Sequence, residues 1–553
     1  VPDSPSPKAF KRIVRNLAAL DRANPALGER IRLPVEDDHV LNSWGNRPQR
    51  KLGRSSTPLV QSLLDYKFPP TVAGEGILLF GVGLGEGLSA LLKRFPDKPI
   101  IAWERDPWLL RIALSRWDFT SQIASGQLQF ALGPDLVALQ GQVPETIVIH
   151  PLLGSVYARE WEFLHQPADT PCALICEGEL FVKDLDEGIR EMGYSTYTWE
   201  VSRLATEELA CAVQLLQPQF VAAINFTNGL PEACLEHDLP LFIWEVDPAL
   251  LRPEPVSTPT SHVHICTYRK KHMDWYRAAG FERVSYLPLA ANVHHRVPTP
   301  SESQDCPPST VCFVGNSTTN RIEPARKSFL DGFAAEFGSQ APGKELLETA
   351  LDAQIQSPGC FVVPELLDTS CPGWRSAVLD RAEVDPAIYV GEIATAVHRT
   401  RVLSRLGPLG ARAWGDTGWK KCEADGVTYM GRAGHFEELN RIYSNGAIHL
   451  DIGRLYQPDI VTMRVFDVLA CGGFLLANHS EALLEMFTPG VELECWSTLD
   501  ELEDKVRFYQ KHPDKAQAIA QAGRARVLRD HTIRQRLQTM LSGLAAPGVR
   551  EAI

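Results

Sequence analysis

The sequence predicts an α/β protein assembled from successive Rossmann-like units of parallel sheet, and three stretches carry that prediction. The first is the apolar run Gly76-Ile77-Leu78-Leu79-Phe80, which leads into Gly81-Val82-Gly83-Leu84-Gly85-Glu86-Gly87 and a helix ending near Phe95. The second begins at Pro171, where strand-like and helix-like segments start to alternate and continue to Ala290. The third, Asp459 to Asn478, reads as a short helix, a glycine stop and a buried strand.

Composition bounds what such a chain can do. Its 553 residues correspond to three or four units of ordinary domain size, and 44% hydrophobic residues suffice for several cores. A formal charge of −13 argues against a broad nucleic-acid-binding face, while leaving room for a local basic pocket. No apolar run approaches the roughly 20 residues needed to span a bilayer. The first residues, V-P-D-S-P-S-P-K, lack the charged and apolar regions of a signal peptide. Twelve Cys are scattered without a C-x-x-C pair, and Cys172, Cys176, Cys266 and Cys312 fall in apolar runs. Buried free thiols in a reducing compartment fit that pattern better than disulfides or zinc, so a cytoplasmic location is expected.

Taken in order, residues 8–65 read as mainly helical, and 1–65 form an N-terminal helical segment. Residues 66–168 form the first Rossmann-like domain. Its strand, glycine turn, helix and second strand (Pro99 to Trp103) end on an acid, Glu104. In a working nucleotide site Gly81, Gly83 and Gly85 would let backbone approach the ligand and Glu104 would take ribose hydroxyls, the layout of S-adenosylmethionine-dependent methyltransferases. The alternative is an α/β scaffold with a tight turn and no ligand. L-L-F-G-V-G-L-G-E-G followed by I-A-W-E-R-D-P resembles the central domain of the motility accessory factor (Maf) family over approximately 70–165. Maf proteins are implicated in flagellin glycosylation, and their central domain is itself Rossmann-like.

Residues 169–298 give a second unit. Strands are expected at Ala173 to Cys176, Tyr194 to Val201, Phe220 to Phe226, Leu239 to Pro248, His264 to Cys266 and Val284 to Ala290. Ligands gather at the carboxyl ends of parallel strands, where this unit offers Glu177-Gly178-Glu179, Asn225 to Asn228, and Glu245 with Asp247. Asp247 and Glu179 are the candidates for a general base towards a hydroxyl. Asp184-Leu185-Asp186 has the form of a D-x-D metal site, yet it opens a helix, where acids favour the dipole. No metal site is expected.

Residues 297–309 are a Pro/Ser linker, and 299–545 form the last domain, with a helical insertion near 324–405. The strand Thr310 to Val314 ends on Gly315, Asn316 and Ser317, a small polar loop that suits a close phosphate contact. The sheet resumes at Ala411 to Asp416 and Val427 to Gly431, then Ala447 to Asp451. In the segment that follows, Thr462 opens a helix whose Val465, Phe466, Leu469 and Ala470 share one apolar side. The N–H groups of Thr462 and Met463, the helix dipole and the guanidinium of Arg464 suit a diphosphate, and a carboxylate a turn further on suits ribose hydroxyls.

The order V-G-N-S, A-W-G-D, V-T-Y-M-G, Y-S-N-G-A-I-H-L-D-I and M-R-V-F-D-V-L-A-C-G-G-F-L-L resembles the CgeB-type (spore-maturation-like) glycosyltransferases. I-N-F-T-N-G-L, P-L-F-I-W-E-V-D-P and Y-L-P-L-A-A-N are similar to the same family's first domain, so the likeness spans roughly 170–545. The resemblance implies a GT-B fold of two facing Rossmann-like domains, a sugar nucleotide held mainly by the second, and no required metal or other cofactor. It puts Asp467 at the family's ribose-holding acid, usually Glu, and Asp459 at an earlier acid that contacts donor-sugar hydroxyls. Arg464, Thr462 and Met463 would face the diphosphate, Gly315 to Ser317 would approach it from the other side, and Trp414, Asp416, Tyr429 and Met430 would lie near the base. The function implied is transfer of a sugar from a nucleotide-diphospho-sugar to a hydroxyl of a protein, flagellin among them, or of a glycan. Two alternatives stay open: a bifunctional methyltransferase-glycosyltransferase, and a non-catalytic sugar-nucleotide-binding scaffold. The sequence leaves the donor sugar, the base and the oligomeric state open.

Overall fold

The computed structural model describes residues 7–32, 76–140, 143–177, 181–200, 206–227, 229–247, 253, 255–256, 258–299, 310–381, 383–445 and 448–542. Three parallel sheets organise them. The first contains β1 (Ile77–Phe80), β2 (Ile100–Glu104), β3 (Leu128–Leu132) and β4 (Thr146–Ile149) in the order β3-β2-β1-β4. The second contains β5 (Cys172–Glu177), β6 (Ser195–Glu200), β7 (Val221–Ile224), β8 (Leu241–Glu245), β9 (Val263–Thr267) and β10 (Arg283–Tyr286), in the order β10-β9-β8-β7-β5-β6. The third contains β11 (Val311–Val314), β12 (Ala411–Trp414), β13 (Thr428–Tyr429), β14 (Ile448–Asp451), β15 (Phe474–Asn478) and β16 (Glu494–Trp496), in the order β13-β12-β11-β14-β15-β16.

Numbered within its own sheet, the third reads 3-2-1-4-5-6, the doubly wound order of dinucleotide-binding folds, and the first reads 3-2-1-4, its opening half. The expected α/β architecture of Rossmann-like units is what the chain adopts. Its cause is legible in the strands. β1, β7 and β8 are buried at every position, as unbroken apolar runs covered on both faces require. By contacts the chain divides into two compact units, one over 1–243 with 545–553 and one over 244–544.

In the first unit, the helix Pro7–Ala23 is pinned by a fully buried amide. Asn16 Nδ2 donates to the Leu114 and Trp117 carbonyls at 2.8 and 2.7 Å, and its Oδ1 accepts from Phe119 N at 2.9 Å. The remainder of the helical expectation for 8–65 lies outside the described residues. Asp184 and Asp186 fall in the helix Val182–Glu191. Asp186 is buried and bonded to Thr196 and Arg190, a helix acid with structural partners.

In the second unit, the insertion comprises Ile322–Phe337, Ala341–Gln356, Val363–Ser370, Trp374–Asp380 and Pro386–Leu406, with a core of its own around Phe329, Phe333, Leu347 and Trp374. Asp385 caps the last helix through Ala387 N at 2.9 Å, with Pro386 at the first helical position. That helix also sends Val402, Leu403 and Leu406 into the core of the third sheet, so the insertion is an enlarged crossover from β11 to β12.

The described cysteines are free thiols, and Cys172, Cys176, Cys266 and Cys312 are buried. Five histidines among the described residues are buried too, His150, His272, His398, His449 and His531. Burial depresses His150, His398, His449 and His531 to about 4 each. In the unfolded chain such imidazoles take up protons near 6.5. Unfolding therefore binds protons between these values, and the stabilisation present above pH 6.5 is lost as pH falls towards 4. The melting temperature is expected to drop steeply over that window. For His449, fully enclosed, the linked effect is about 3 kcal/mol. Thermal melts of His449→Leu should show a shallower acid slope, and an unchanged slope would refute the assignment.

Candidate functional site

In a doubly wound sheet the ligand crevice opens where the strand order reverses, here at the carboxyl ends of β11 and β14. Arg464, in the first turn of the helix Met463–Ala470, reaches into that point. Its Nε donates to the Val314 carbonyl at 2.7 Å and its Nη1 to Asp451 Oδ1 at 2.5 Å. The guanidinium lies 4.7 Å from the Phe313 ring centroid, a cation–π contact. Gly315 is required here: a Cβ on it would meet Arg464 Nη2 at 2.7 Å. Thr462 is the N-cap residue, but its hydroxyl donates to Asp451 Oδ1 at 2.7 Å and caps no backbone N–H. Capping is left to whatever the helix end meets.

Two further arginines converge on this corner. Arg399, buried on the helix Pro386–Leu406, donates to the Ile452 carbonyl through Nε and Nη2 at 3.2 and 2.9 Å and to the Asn316 carbonyl through Nη1 at 2.9 Å. Burial first, then the charges of Arg464 and Arg454, pull its pKa down to about 9. Asp451 and Tyr456 oppose the shift, so burial is its main cause and the two neighbouring guanidiniums add to it. Arg454 donates to Tyr456 Oη at 2.8 Å, and Tyr456 in turn to Glu392 at 2.5 Å. The arrangement can neutralise a dianion with forked, partly desolvated donors.

The loop after β11 is closed on Asp416. Ser317 N and Oγ reach Oδ1 at 3.3 and 2.6 Å, Gly418 N reaches the same oxygen at 3.1 Å, and Thr318 N reaches Oδ2 at 3.3 Å. Ser317 is buried, Gly315 is half-buried and Asn316 is exposed. Trp414 is 2% exposed, a core residue of β12. Tyr429 donates to the Gly415 carbonyl at 3.3 Å, and Met430 spends its N–H on the Ala413 carbonyl at 2.9 Å.

Both acids of the Asp459–Asn478 segment carry arginine partners. Asp467, 5% exposed, pairs with Arg296 Nε at 3.0 Å, and Arg296 also donates to the His435 carbonyl at 2.8 Å. Asp459 is gripped by Arg269, Nη2 to Oδ1 at 2.7 Å and Nε to Oδ2 at 3.2 Å. Burial raises the Asp459 carboxyl, but Arg269 and then Lys271 hold it below its usual value. Behind Arg269 runs a buried chain. Its Nη1 meets His272 Nε2 at 3.3 Å, and His272 Nδ1 meets Glu245 Oε1 at 2.9 Å. Tyr276 and Thr267 hydroxyls complete the Glu245 carboxylate. Glu245 accepts from both hydroxyls, so His272 presents Nδ1–H to it and an accepting Nε2 to Arg269. Asp247 is half-buried just beyond β8, and its charge, with those of Arg269, Glu245 and Arg454, reaches Tyr268. Glu179 lies outside the described residues.

Sequence reasoning did not find Arg269, His272, Arg296, Arg399, Arg454 or Asp451. Only Arg399 carries a local signal: it falls on the apolar stripe of its helix between Ala396 and Val402, where a cation needs a reason.

The glycine loop of the first sheet is occupied by the protein itself. Gly81, Gly83 and Gly85 have φ of 89°, 57° and 86°. Glu104, fully buried, accepts from Val82 N and Gly83 N on Oε2 at 2.9 Å each. Its Oε1 accepts from Arg105 N at 2.9 Å and Tyr157 Oη at 2.5 Å. His150 packs on the loop, its Nε2 2.7 Å from where a Cβ on Gly83 would stand. Asp106 N also reaches Oε1 at 3.3 Å, so five donors meet the Glu104 carboxylate.

No group of three or more His, Cys, Asp or Glu side chains among the described residues has the geometry to hold a metal ion. Among the same residues no helix is long and apolar enough to cross a membrane.

Residues 397–542 match the protein family described as Glycosyl transferase-like, about a quarter of the chain. Among solved structures, a glycosyltransferase from Rickettsia africae is similar at 9% identity and a TM-score of 0.42, covering 68% of this chain and 97% of its own. Anabaena HepE in complex with UDP-glucose is similar at 10% identity and a TM-score of 0.34, over 68% of this chain and 100% of its own. The T4 phage β-glucosyltransferase is similar at 11% identity and a TM-score of 0.36, over 67% and 99%. No curated protein matches the sequence.

Proposed function

We propose that the protein is a metal-independent GT-B glycosyltransferase that moves a sugar from a nucleotide-diphospho-sugar to a hydroxyl of a protein or glycan acceptor. One observation carries the reading: Arg464, Arg399 and Arg454 converge with a helix N-terminus on the switch point of a doubly wound sheet. The glycosyltransferase-like match over 397–542 covers Arg399, Arg454 and Arg464.

In this reading residues 169–298 and 299–545 are the two Rossmann-like halves. The helix dipole and Arg464 stabilise the leaving diphosphate, and Gly315, Asn316 and Ser317 approach it from the β11 side. Asp467 holds the ribose, Asp459 faces the donor sugar, and Asp416, Trp414, Tyr429 and Met430 border the base. Asp247 is the base that takes the acceptor proton. The likeness of residues 70–165 to the Maf family supports a protein acceptor such as flagellin.

A ligand specific to the native state raises its apparent stability. A thermal-shift series with UDP, GDP, dTDP, CDP and ADP is therefore the first test, and at least one should raise the melting temperature by several degrees. If none does at millimolar concentration, the nucleotide reading is wrong. Binding without turnover of any donor would identify a scaffold instead.

A further inference from the structure

The first unit carries a recess of about 510 Å³ at the amino ends of β5 and β6. One wall is the end of the helix Ala158–Leu164 with the turn that follows it, and the other is the approach to β6. Gly193, at φ 92°, ends the helix Val182–Glu191 and turns the chain so that Tyr194 packs edge-on to Phe220, ring centroids 5.1 Å apart. The volume lies within the roughly 300–1,000 Å³ of small-ligand sites, and the lining is mainly apolar. None of the lining residues takes part in the transfer proposed above.

Two rings form an aromatic floor. Trp161 and His165 lie one helical turn apart with centroids at 4.5 Å, and Trp161 is braced from behind by the edge of Phe80 at 5.3 Å. His165 Nδ1 donates to the Trp161 carbonyl at 2.8 Å, which leaves Nε2 of the neutral ring as an acceptor. Gln166 Oε1 is spent on Thr196 N at 3.1 Å, which leaves its amide Nε2 as a donor.

The polar groups around this floor are unspent. Trp161 Nε1, Gln166 Nε2 and the hydroxyls of Thr170 and Tyr194 have no hydrogen-bond partner among the described residues. Tyr194 is the most telling of them. It is 6% exposed, and burial alone raises its hydroxyl above the ordinary value, with no neighbouring charge or bond contributing. Arg190, by contrast, is already paired with Glu162 at 2.7 Å and Asp186 at 2.8 Å.

We propose that this recess binds one sugar residue of a neutral glycan, its ring laid on Trp161 and a hydroxyl bonded to Tyr194 Oη. The occupant has to satisfy three conditions at once. It needs a hydrocarbon face for the floor, and it needs groups that both donate and accept, because Gln166 and Trp161 offer only donors and His165 an acceptor. It also needs no net charge, because the Arg190 guanidinium is spent and a phosphate would meet Glu162 beside it. A pyranose brings an apolar C–H face and a rim of hydroxyls, each able to give and take a proton. A purely hydrocarbon ligand would strand the Tyr194 hydroxyl at a cost on the order of 1–3 kcal/mol. In a glycosyltransferase such a site holds an acceptor or product glycan by a residue that does not react.

Saturation-transfer NMR and tryptophan fluorescence on the full chain, titrated with the methyl glycosides of glucose, galactose, mannose and N-acetylglucosamine, test this. At least one glycoside is expected to bind at millimolar concentration. Trp161→Ala should weaken it about 10-fold through loss of the stacking face. Tyr194→Phe keeps the ring, removes only the hydroxyl and should weaken it about fivefold, the equivalent of one hydrogen bond. A native melting temperature in Tyr194→Phe shows that its loss of affinity is local. No binding of any of the four at tens of millimolar, or binding that both substitutions leave intact, overturns the proposal. So does a proline-rich peptide that binds in a Trp161-dependent way where the glycosides do not. Nucleoside diphosphate titration of the same variants is expected to stay native, so the donor-site reading stands or falls separately.

Discussion

Arg464→Ala is expected to lower donor turnover by about 100-fold, the loss typical of one preorganised charge-stabilising donor, and to weaken nucleoside diphosphate binding in parallel. The guanidinium does two things at once: it ties Val314 at the end of β11 to Asp451 at the end of β14, and it brings a full charge to the first turn of the helix. Alanine removes both and leaves Asp451 with only the Thr462 hydroxyl among these partners. Some stability is therefore lost as well. Arg464→Lys separates the effects. A lysine restores the charge but cannot span two acceptors with a planar fork, so binding should recover more than turnover. Titration of the diphosphate and a donor-hydrolysis assay on both variants give the comparison. Native affinity in Arg464→Ala would remove this arginine from the site.

Asp467 has the opposite signature: its first effect is on folding. It is 5% exposed and pairs with Arg296, itself 5% exposed, at 3.0 Å. Asp467→Ala leaves a buried guanidinium without its counter-charge, at a cost of about 3–5 kcal/mol. A drop in activity in that variant says little about ribose. The pair of substitutions Asp467→Leu with Arg296→Met removes both charges and is expected to regain most of the stability, because an apolar pair of similar size avoids the desolvation penalty. If Asp467 also contacts ribose, the refolded double variant still binds the diphosphate about 10-fold more weakly than the native protein. Native-like affinity there would make Asp467 a structural partner of Arg296 only. Urea denaturation and titration read the two effects separately.

Much of the fold was legible because it depends on neighbours in the chain. The runs Ile77 to Phe80, Leu241 to Glu245 and Phe474 to Asn478 are strands because each is apolar without alternation, as only a strand covered on both faces is. Glu437–Ser444 begins and ends as its periodicity requires, and Met463–Ala470 starts one residue after the expected opening at Thr462. β3 and β4 were not anticipated. β3 is interrupted by an exposed Gln129, and β4 begins on Thr146 and ends on an exposed Ile149, so neither is an unbroken buried run.

The candidate site divides in the same way. By itself the sequence determined that acids, glycines and Arg464 stand at strand ends and at a helix start, because those positions follow from local apolar pattern and turn chemistry. What each acid touches was decided only by the tertiary structure. Asp459 meets Arg269 across 190 positions, Ser317 meets Asp416 across 99, and Glu104 closes on its own glycine loop. A carboxylate on a loop has the same sequence signature whether it awaits a ligand or already holds an arginine. The difference is made by distant strand ends brought together by sheet order, and by the low dielectric of the place where they meet.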